Sequence, residues 1–206
     1  MIRFLFLLII PLFFFSCKKR VTDFMLVGKL QDKTYNKGLA NARIDIFQTS
    51  VGSAQTKLIE TIYTDTEGNY EVKIPRTQFV SLKLSIHKDG YFEDERTVNF
   101  SELSVKNENR FDFDVYGLSW VKIRLYHQDS QDTKFDIVKS IGKKNCQACC
   151  PDTYQQFVGK VDTFLICPNN ANSLYEVTYF KLYTSFSGTK SVVTSHMDTS
   201  LIELNY

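Results

Sequence analysis

The chain has 206 residues, with 25 Lys and Arg against 23 Asp and Glu, a formal net charge of +2 and a sequence pI near 8.2. Balanced charge excludes the electrostatic footprint of a dedicated nucleic-acid binder. The 17 Phe and 11 Tyr beside only 4 Pro and 9 Gly exclude a disordered chain.

In chain order, Met1-Ile2-Arg3 precede an apolar run from Phe4 to Phe15 that contains Pro11. A membrane-spanning helix needs roughly 20 apolar residues, so this shorter run reads as the core of a signal peptide. Phe14-Phe15-Ser16-Cys17 and then Lys18-Lys19-Arg20 follow. This arrangement resembles the lipobox of bacterial lipoproteins, although Phe14 stands where Leu is usual and Phe15 where a small residue is common. The resemblance implies cleavage before Cys17 and acylation of Cys17, giving a signal peptide over 1–16 and a tether over 17–23. Each buried methylene of an acyl chain contributes about 0.8 kcal/mol, so the implied partner is a membrane held through the lipid. An ordinary secretory signal cleaved near Ser16, or an uncleaved anchor, is the alternative. Acidic residues after the lipidated cysteine mark surface export in some Gram-negative groups. Their absence here points to an outer-membrane lipoprotein on the periplasmic face of the cell envelope.

Residues 24–116 alternate apolar and polar side chains in short runs bounded by turn residues, which predicts an antiparallel β-sandwich. The seven runs are Phe24 to Gln31, Asn41 to Gln48, Lys57 to Thr64, Tyr70 to Pro75, Val80 to His87, Glu93 to Asn99 and Arg110 to Tyr116. In the fifth, Leu82, Leu84 and Ile86 share a core face, and Ser81, Lys83, Ser85 and His87 face solvent. Two turns are specific. In Thr64-Asp65-Thr66-Glu67-Gly68-Asn69-Tyr70, Asp65 is placed to accept hydrogen bonds from the backbone ahead and Gly68 to take positive φ. Lys88-Asp89-Gly90-Tyr91 offers Gly90 the same freedom and lets Tyr91 fold back onto the sandwich edge.

Together with Val27-Gly28-Lys29-Leu30 and Gly38-Leu39-Ala40-Asn41-Ala42-Arg43-Ile44, this order of motifs resembles the carboxypeptidase regulatory-like domain over about 90 residues. The resemblance implies a seven-stranded, transthyretin-like sandwich that serves as an accessory module for folding, attachment or protein contact. It brings no shared catalytic residues. His87, His127 and His196 stand in no zinc-peptidase motif. Asp65, Glu67 and Asn69 alternate like calcium ligands but lack the spacing and terminal Glu of a calcium-binding helix–loop–helix.

The pattern restarts at Tyr116-Gly117, so residues 117–206 are expected to form a second, immunoglobulin-like β-sandwich, making the fold all-β with two domains. Trp120 to Tyr126, Tyr154 to Lys160, Thr163 to Ile166, Leu174 to Thr184, Ser191 to Ser195 and Thr199 to Tyr206 read as strands. Gln128 to Thr133 reads as a polar loop, and Gly142 to Asn145 and Pro168-Asn169-Asn170 as turns. No strand is predicted between Tyr126 and Tyr154.

Cys146-Gln147-Ala148-Cys149-Cys150-Pro151, with Cys167 seventeen positions after Cys150, distinguishes this half. With Cys17 set aside, four cysteines in an oxidising compartment point to two disulfides. A bridge between the neighbours Cys149 and Cys150 would be strained, so Cys167 is expected to pair with one of them and Cys146 with the other. The longer bridge would contribute roughly 3 kcal/mol through loop-closure entropy. Two alternatives use the same residues: four thiolates around a zinc ion, or a redox-active C-x-x-C.

Tyr175, Tyr179 and Tyr183 fall with Val177 and Lys181 on one face of a strand and are read as a tyrosine-rich core edge. If exposed beside Trp120 or Tyr126, they would instead form a strip able to stack on sugars or contact a protein. The leading expectation is a membrane-anchored, non-enzymatic structural or protein-interaction module of the cell envelope, without cofactor or resident metal. A glycan- or substrate-binding lipoprotein of an outer-membrane uptake system is the alternative, and a cysteine-based zinc or redox protein the second. Neither G-x-S-x-G nor H-E-x-x-H is present, and paired carboxylates are not legible from spacing.

Overall fold

The computed structural model describes residues 23–127, 134–146, 148–182 and 184–206. These form an all-β protein built from sheets packed around two hydrophobic cores. Cys17, the signal-peptide core and Tyr183 lie outside the described residues.

The first core is enclosed by two sheets. One contains β1 (Asp23–Asp32), β2 (Lys37–Gly38), β5 (Asn69–Pro75), β8 (Asn109–Arg110) and β9 (Phe113–Val115). The other has the order β4-β3-β6-β7, from β3 (Arg43–Ser50), β4 (Thr56–Tyr63), β6 (Phe79–His87) and β7 (Asp94–Asn99). Alternation sets the inward faces. Phe24, Leu26 and Leu30 of β1 and Tyr70, Val72 and Ile74 of β5 meet Ile44 and Ile46 of β3 and Leu82, Leu84 and Ile86 of β6. Both turns take the expected form: Asp65 Oδ1 accepts the N–H groups of Glu67 and Asn69, and Gly68 and Gly90 have φ of 83° and 78°. Tyr91 folds back as well, its hydroxyl donating to Asp32 Oδ2 at 2.8 Å.

The expected strand from Arg110 to Tyr116 is corrected. It divides into β8 and β9, which both run parallel to β1. Between them Phe111 N–H donates to Val27 O, Tyr70 OH donates to Phe111 O at 2.7 Å, and Asp112 Oδ1 accepts Lys29 N–H. One backbone bond and two side-chain bonds thus satisfy these groups where the ladder is interrupted.

The second core lies between the sheet β13-β10-β16 and the sheet β12-β11-β14-β15. These strands are β10 (Leu118–Tyr126), β11 (Lys134–Ile141), β12 (Gln155–Val158), β13 (Asp162–Asn170), β14 (Leu174–Lys181), β15 (Ser187–Val193) and β16 (Thr199–Asn205). Three corrections follow. β11 fills a stretch where no strand is expected. Pro168-Asn169-Asn170 is the end of β13 and not a turn, with Pro168 opposite Trp120. β16 runs parallel to β10, so this half is not purely antiparallel either. Pro168 is tolerated because β13 is an edge of its sheet, where a missing N–H costs no ladder bond.

The two halves touch through turns. Thr34 Oγ1 accepts Gly117 N–H at 2.7 Å, and the His196 ring lies 5.0 Å from that of Tyr91 and 5.7 Å from that of Tyr35.

Candidate functional site

Two features of the second half carry chemistry that its core does not require. The first is the loop between β11 and β12. Phe135, Ile137 and Lys139 of β11 share its inward face, and the Lys139 side chain is 3% exposed. Its ammonium donates to the backbone oxygens of Lys143 at 2.7 Å, Cys149 at 2.9 Å and Cys150 at 2.8 Å, and lies 3.0 Å from Asp152 Oδ1. A buried charge is tolerable only when paired and hydrogen-bonded, and the inward-turned carbonyls of a loop need donors. Lys139 meets both conditions at once.

Around it stand two disulfides, Cys146–Cys149 and Cys150–Cys167. This resolves the pairing left open by the sequence. With all four sulfurs bonded in this way, no thiolate is left for zinc, so the zinc alternative is withdrawn. Cys149 and Cys167 are fully buried. Cys167 sits in β13 opposite Val121, so the longer bridge ties the loop to the sheet across the core. Asn169, also fully buried, accepts Lys143 N–H at Oδ1 (2.9 Å) and donates from Nδ2 to Ser173 Oγ and Thr194 Oγ1. The Lys143 ammonium lies 4.2 Å from the Phe92 ring centroid in the other half. Burial lowers its pKa, an effect opposed by the charge of Asp94. Lys139, Asp152 and Asn169 were not found by sequence reasoning. The available signal was a lysine in phase with Phe135 and Ile137 on an apolar face.

The second feature is the outward face of β13-β10-β16. Strand register sets its residues in rows: Pro168, Trp120 and Thr199; Ile166, Lys122 and Leu201; Phe164, Arg124 and Glu203. Phe164, Ile166 and Leu201 are each 54% exposed. The Lys122 ammonium lies 4.3 Å from the Phe164 ring centroid, and Arg124 lies 5.7 Å from that of Tyr126. Phe164 and Ile166 escaped notice because Phe164-Leu165-Ile166-Cys167 is apolar throughout, which hides its sidedness.

The aromatic residues singled out by sequence are not brought together. Trp120 is half-buried on the outward face of β10. Tyr175, 1% exposed, and half-buried Tyr179 point inward from β14 in the opposite sheet, alongside Val177. Tyr175 is therefore a core residue, which corrects its candidacy for a binding strip. Burial, reinforced by the Asp152 charge, holds its hydroxyl well above the usual tyrosine range. His87 faces outward as expected, with Nδ1 2.9 Å from Glu93 Oε1 and Nε2 3.7 Å from Asp45 Oδ2.

No protein-family model matches the sequence, and no curated protein matches it. Among solved structures the chain is similar to the Bacillus anthracis TIE protein, with a TM-score of 0.39 and 15% identity over 89% of this chain. That alignment covers 34% of the TIE protein, so the chain spans about a third of its length. It is also similar to the shaft pilin SpaA from Lactobacillus rhamnosus GG, with a TM-score of 0.36 and 8% identity over 88% of this chain and 98% of the pilin. The 3-chlorocatechol 1,2-dioxygenase from Rhodococcus opacus 1CP gives a TM-score of 0.34 and 14% identity over 46% of this chain and 60% of that one. Values this low assign no family and carry no functional argument.

Proposed function

We propose that this protein is a membrane-anchored, non-enzymatic module of the cell envelope that works through protein contact. Its two domains divide near residue 116, the first being a carboxypeptidase regulatory-like sandwich. The anchor is an acylated Cys17, and the site of residence is the periplasmic face of the outer membrane. The observation that carries the contact role is the outward face of β13-β10-β16, where Phe164, Ile166 and Leu201 remain more than half exposed in register. Exposed apolar side chains held on a rigid sheet, Phe164 and Ile166 on one edge strand and Leu201 on the other with Lys122 and Arg124 between them, have the mixed composition of an interaction surface.

The glycan-binding alternative rested on an exposed tyrosine strip, and the burial of Tyr175 withdraws that support. Two experiments in cells test the proposal. Labelling with a clickable fatty acid should mark the wild-type protein and not Cys17→Ser, and equal labelling of both would remove the anchor. A photo-crosslinker at Ile166 should give a discrete protein adduct that disappears on Phe164→Ser with Leu201→Ser. A glycan adduct, or no discrete adduct, would overturn the contact role.

A further inference from the structure

The two disulfides meet at adjacent residues, yet opening them has different consequences. Cys150–Cys167 joins the loop to a paired strand, packs against the second core and closes the larger ring. Cys150 is partly exposed and Cys167 fully buried, and breaking this bridge releases the loop from the sheet that forms one wall of the core. Cys146–Cys149 has a sequence separation of 3 and crosses only its own turn, in which Cys149 N–H donates to Cys146 O at 3.0 Å. It joins half-exposed Cys146 to fully buried Cys149. Closing so small a ring removes little freedom from the unfolded chain, so the fold depends on it less.

The flanks of the short bridge are fixed independently of it. Upstream, Lys143 is held at its N–H by Asn169 and at its carbonyl by Lys139. Downstream, the carbonyls of Cys149 and Cys150 are held by the same ammonium, and Cys150 by its own disulfide. Opening Cys146–Cys149 therefore frees only the few residues between these pins. The two thiols stay tethered at high effective concentration, and the bridge can close again.

We propose that Cys146–Cys149 is a thiol–disulfide exchange site that accepts two electrons from a dithiol, with Cys146 as the entry sulfur and Cys150–Cys167 as the fixed frame. A thiolate of the dithiol attacks Cys146 Sγ. The Cys146–Cys149 bond breaks, a mixed disulfide forms on Cys146, and the electron pair leaves on Cys149 Sγ, which takes up a proton. The second thiolate of the dithiol then attacks its own sulfur in the mixed disulfide and releases Cys146, which is protonated in turn. The dithiol ends as a disulfide and the protein as two thiols. Lys139 is a positioning residue that holds the loop while the bridge is open.

The test is differential alkylation of the folded wild-type protein across a dithiothreitol series, read by peptide mass spectrometry beside its circular dichroism. Cys146 and Cys149 should become alkylated at a concentration at least about tenfold below that needed for Cys150 and Cys167, with the β signal unchanged. Oxidised glutathione added to the half-reduced protein should then form its mixed disulfide on Cys146, followed by closure to Cys149. Simultaneous reduction of both bridges, earlier opening of Cys150–Cys167, or glutathionylation confined to Cys149 would each overturn the proposal. Lys139→Met should slow re-closure about tenfold, with Lys139→Arg restoring it in part. An unchanged re-closure rate would remove the positioning role.

Discussion

His196 Nε2, in the turn between β15 and β16, lies 2.7 Å from the backbone oxygen of Gly90, in the turn between β6 and β7. The same oxygen accepts Leu118 N–H at 2.7 Å, and Met197 N–H returns a bond to Leu118 O at 2.8 Å. One tight turn of the first half thus meets both the entry to β10 and the approach to β16. Gly90 has a φ of 78°, and a Cβ there would stand 2.6 Å from Met197 Sδ.

Gly90→Ala is expected to destabilise the protein by roughly 1–2 kcal/mol, since it combines a left-handed backbone with this clash. Because the sulfur is the far end of a flexible side chain, adding Met197→Ala should recover the steric part and leave the backbone part. Denaturant melts of the two single variants and the double variant check this. Additive losses would show that residues 90 and 197 are not coupled.

Gly28→Ala should be harsher. A Cβ at Gly28 would fall 2.0 Å from Phe111 O and 2.7 Å from Tyr70 Cε1, and the first of these is backbone that cannot swing away. The substitution would force β1 from the segment between β8 and β9 and break the Tyr70–Phe111 bond, for a loss of roughly 2–4 kcal/mol. A thermal melt within a degree or two of wild type would contradict this close approach.

Lys139→Met keeps the length of the side chain and removes its ammonium. Asp152 is half-exposed and can rehydrate, so the cost falls mainly on the carbonyls of Lys143, Cys149 and Cys150. A loss of about 2–3 kcal/mol is expected. Hydrogen exchange should rise across residues 142–153 and stay unchanged in the first half.

Stability should fall in alkali. Burial holds the hydroxyls of Tyr70, Tyr91 and Tyr175 above the usual tyrosine range, aided by the charge of Asp112 at Tyr70 and by the hydrogen bond to Asp32 at Tyr91. The raised folded pKa means the unfolded chain loses these protons first. The stabilisation is therefore complete below about pH 10 and declines as pH rises from there toward the folded values. Denaturant melts between pH 8 and 12 should show this, with tyrosinate absorbance rising together with unfolding. Tyr70→Phe should shallow the slope while costing about 1 kcal/mol at neutral pH through its lost bond to Phe111 O.

Much of the first half was legible in sequence because its chemistry is local. Alternation along Leu82, Leu84 and Ile86 and the Asp65–Gly68 turn each arise from residues close together in the chain. In the second half, β11 was missed because its inward face includes Lys139, which breaks the apolar count. Pro168-Asn169-Asn170 read as a turn because turn residues tolerated at a sheet edge look the same in sequence as those in a loop.

By itself the sequence determined that the chain is all-β, where its specific turns fall, and that four cysteines were available to form two bridges. Only the tertiary structure decided which bridges form, that Tyr175 is core, that Phe164 and Ile166 face outward, and that Lys139 holds a loop together. The reason is physical. Alternation and turn propensity act over a few residues. The sidedness of a wholly apolar run depends on which strand pairs with it, and the partners of a buried charge come from segments brought together only when the sheets close.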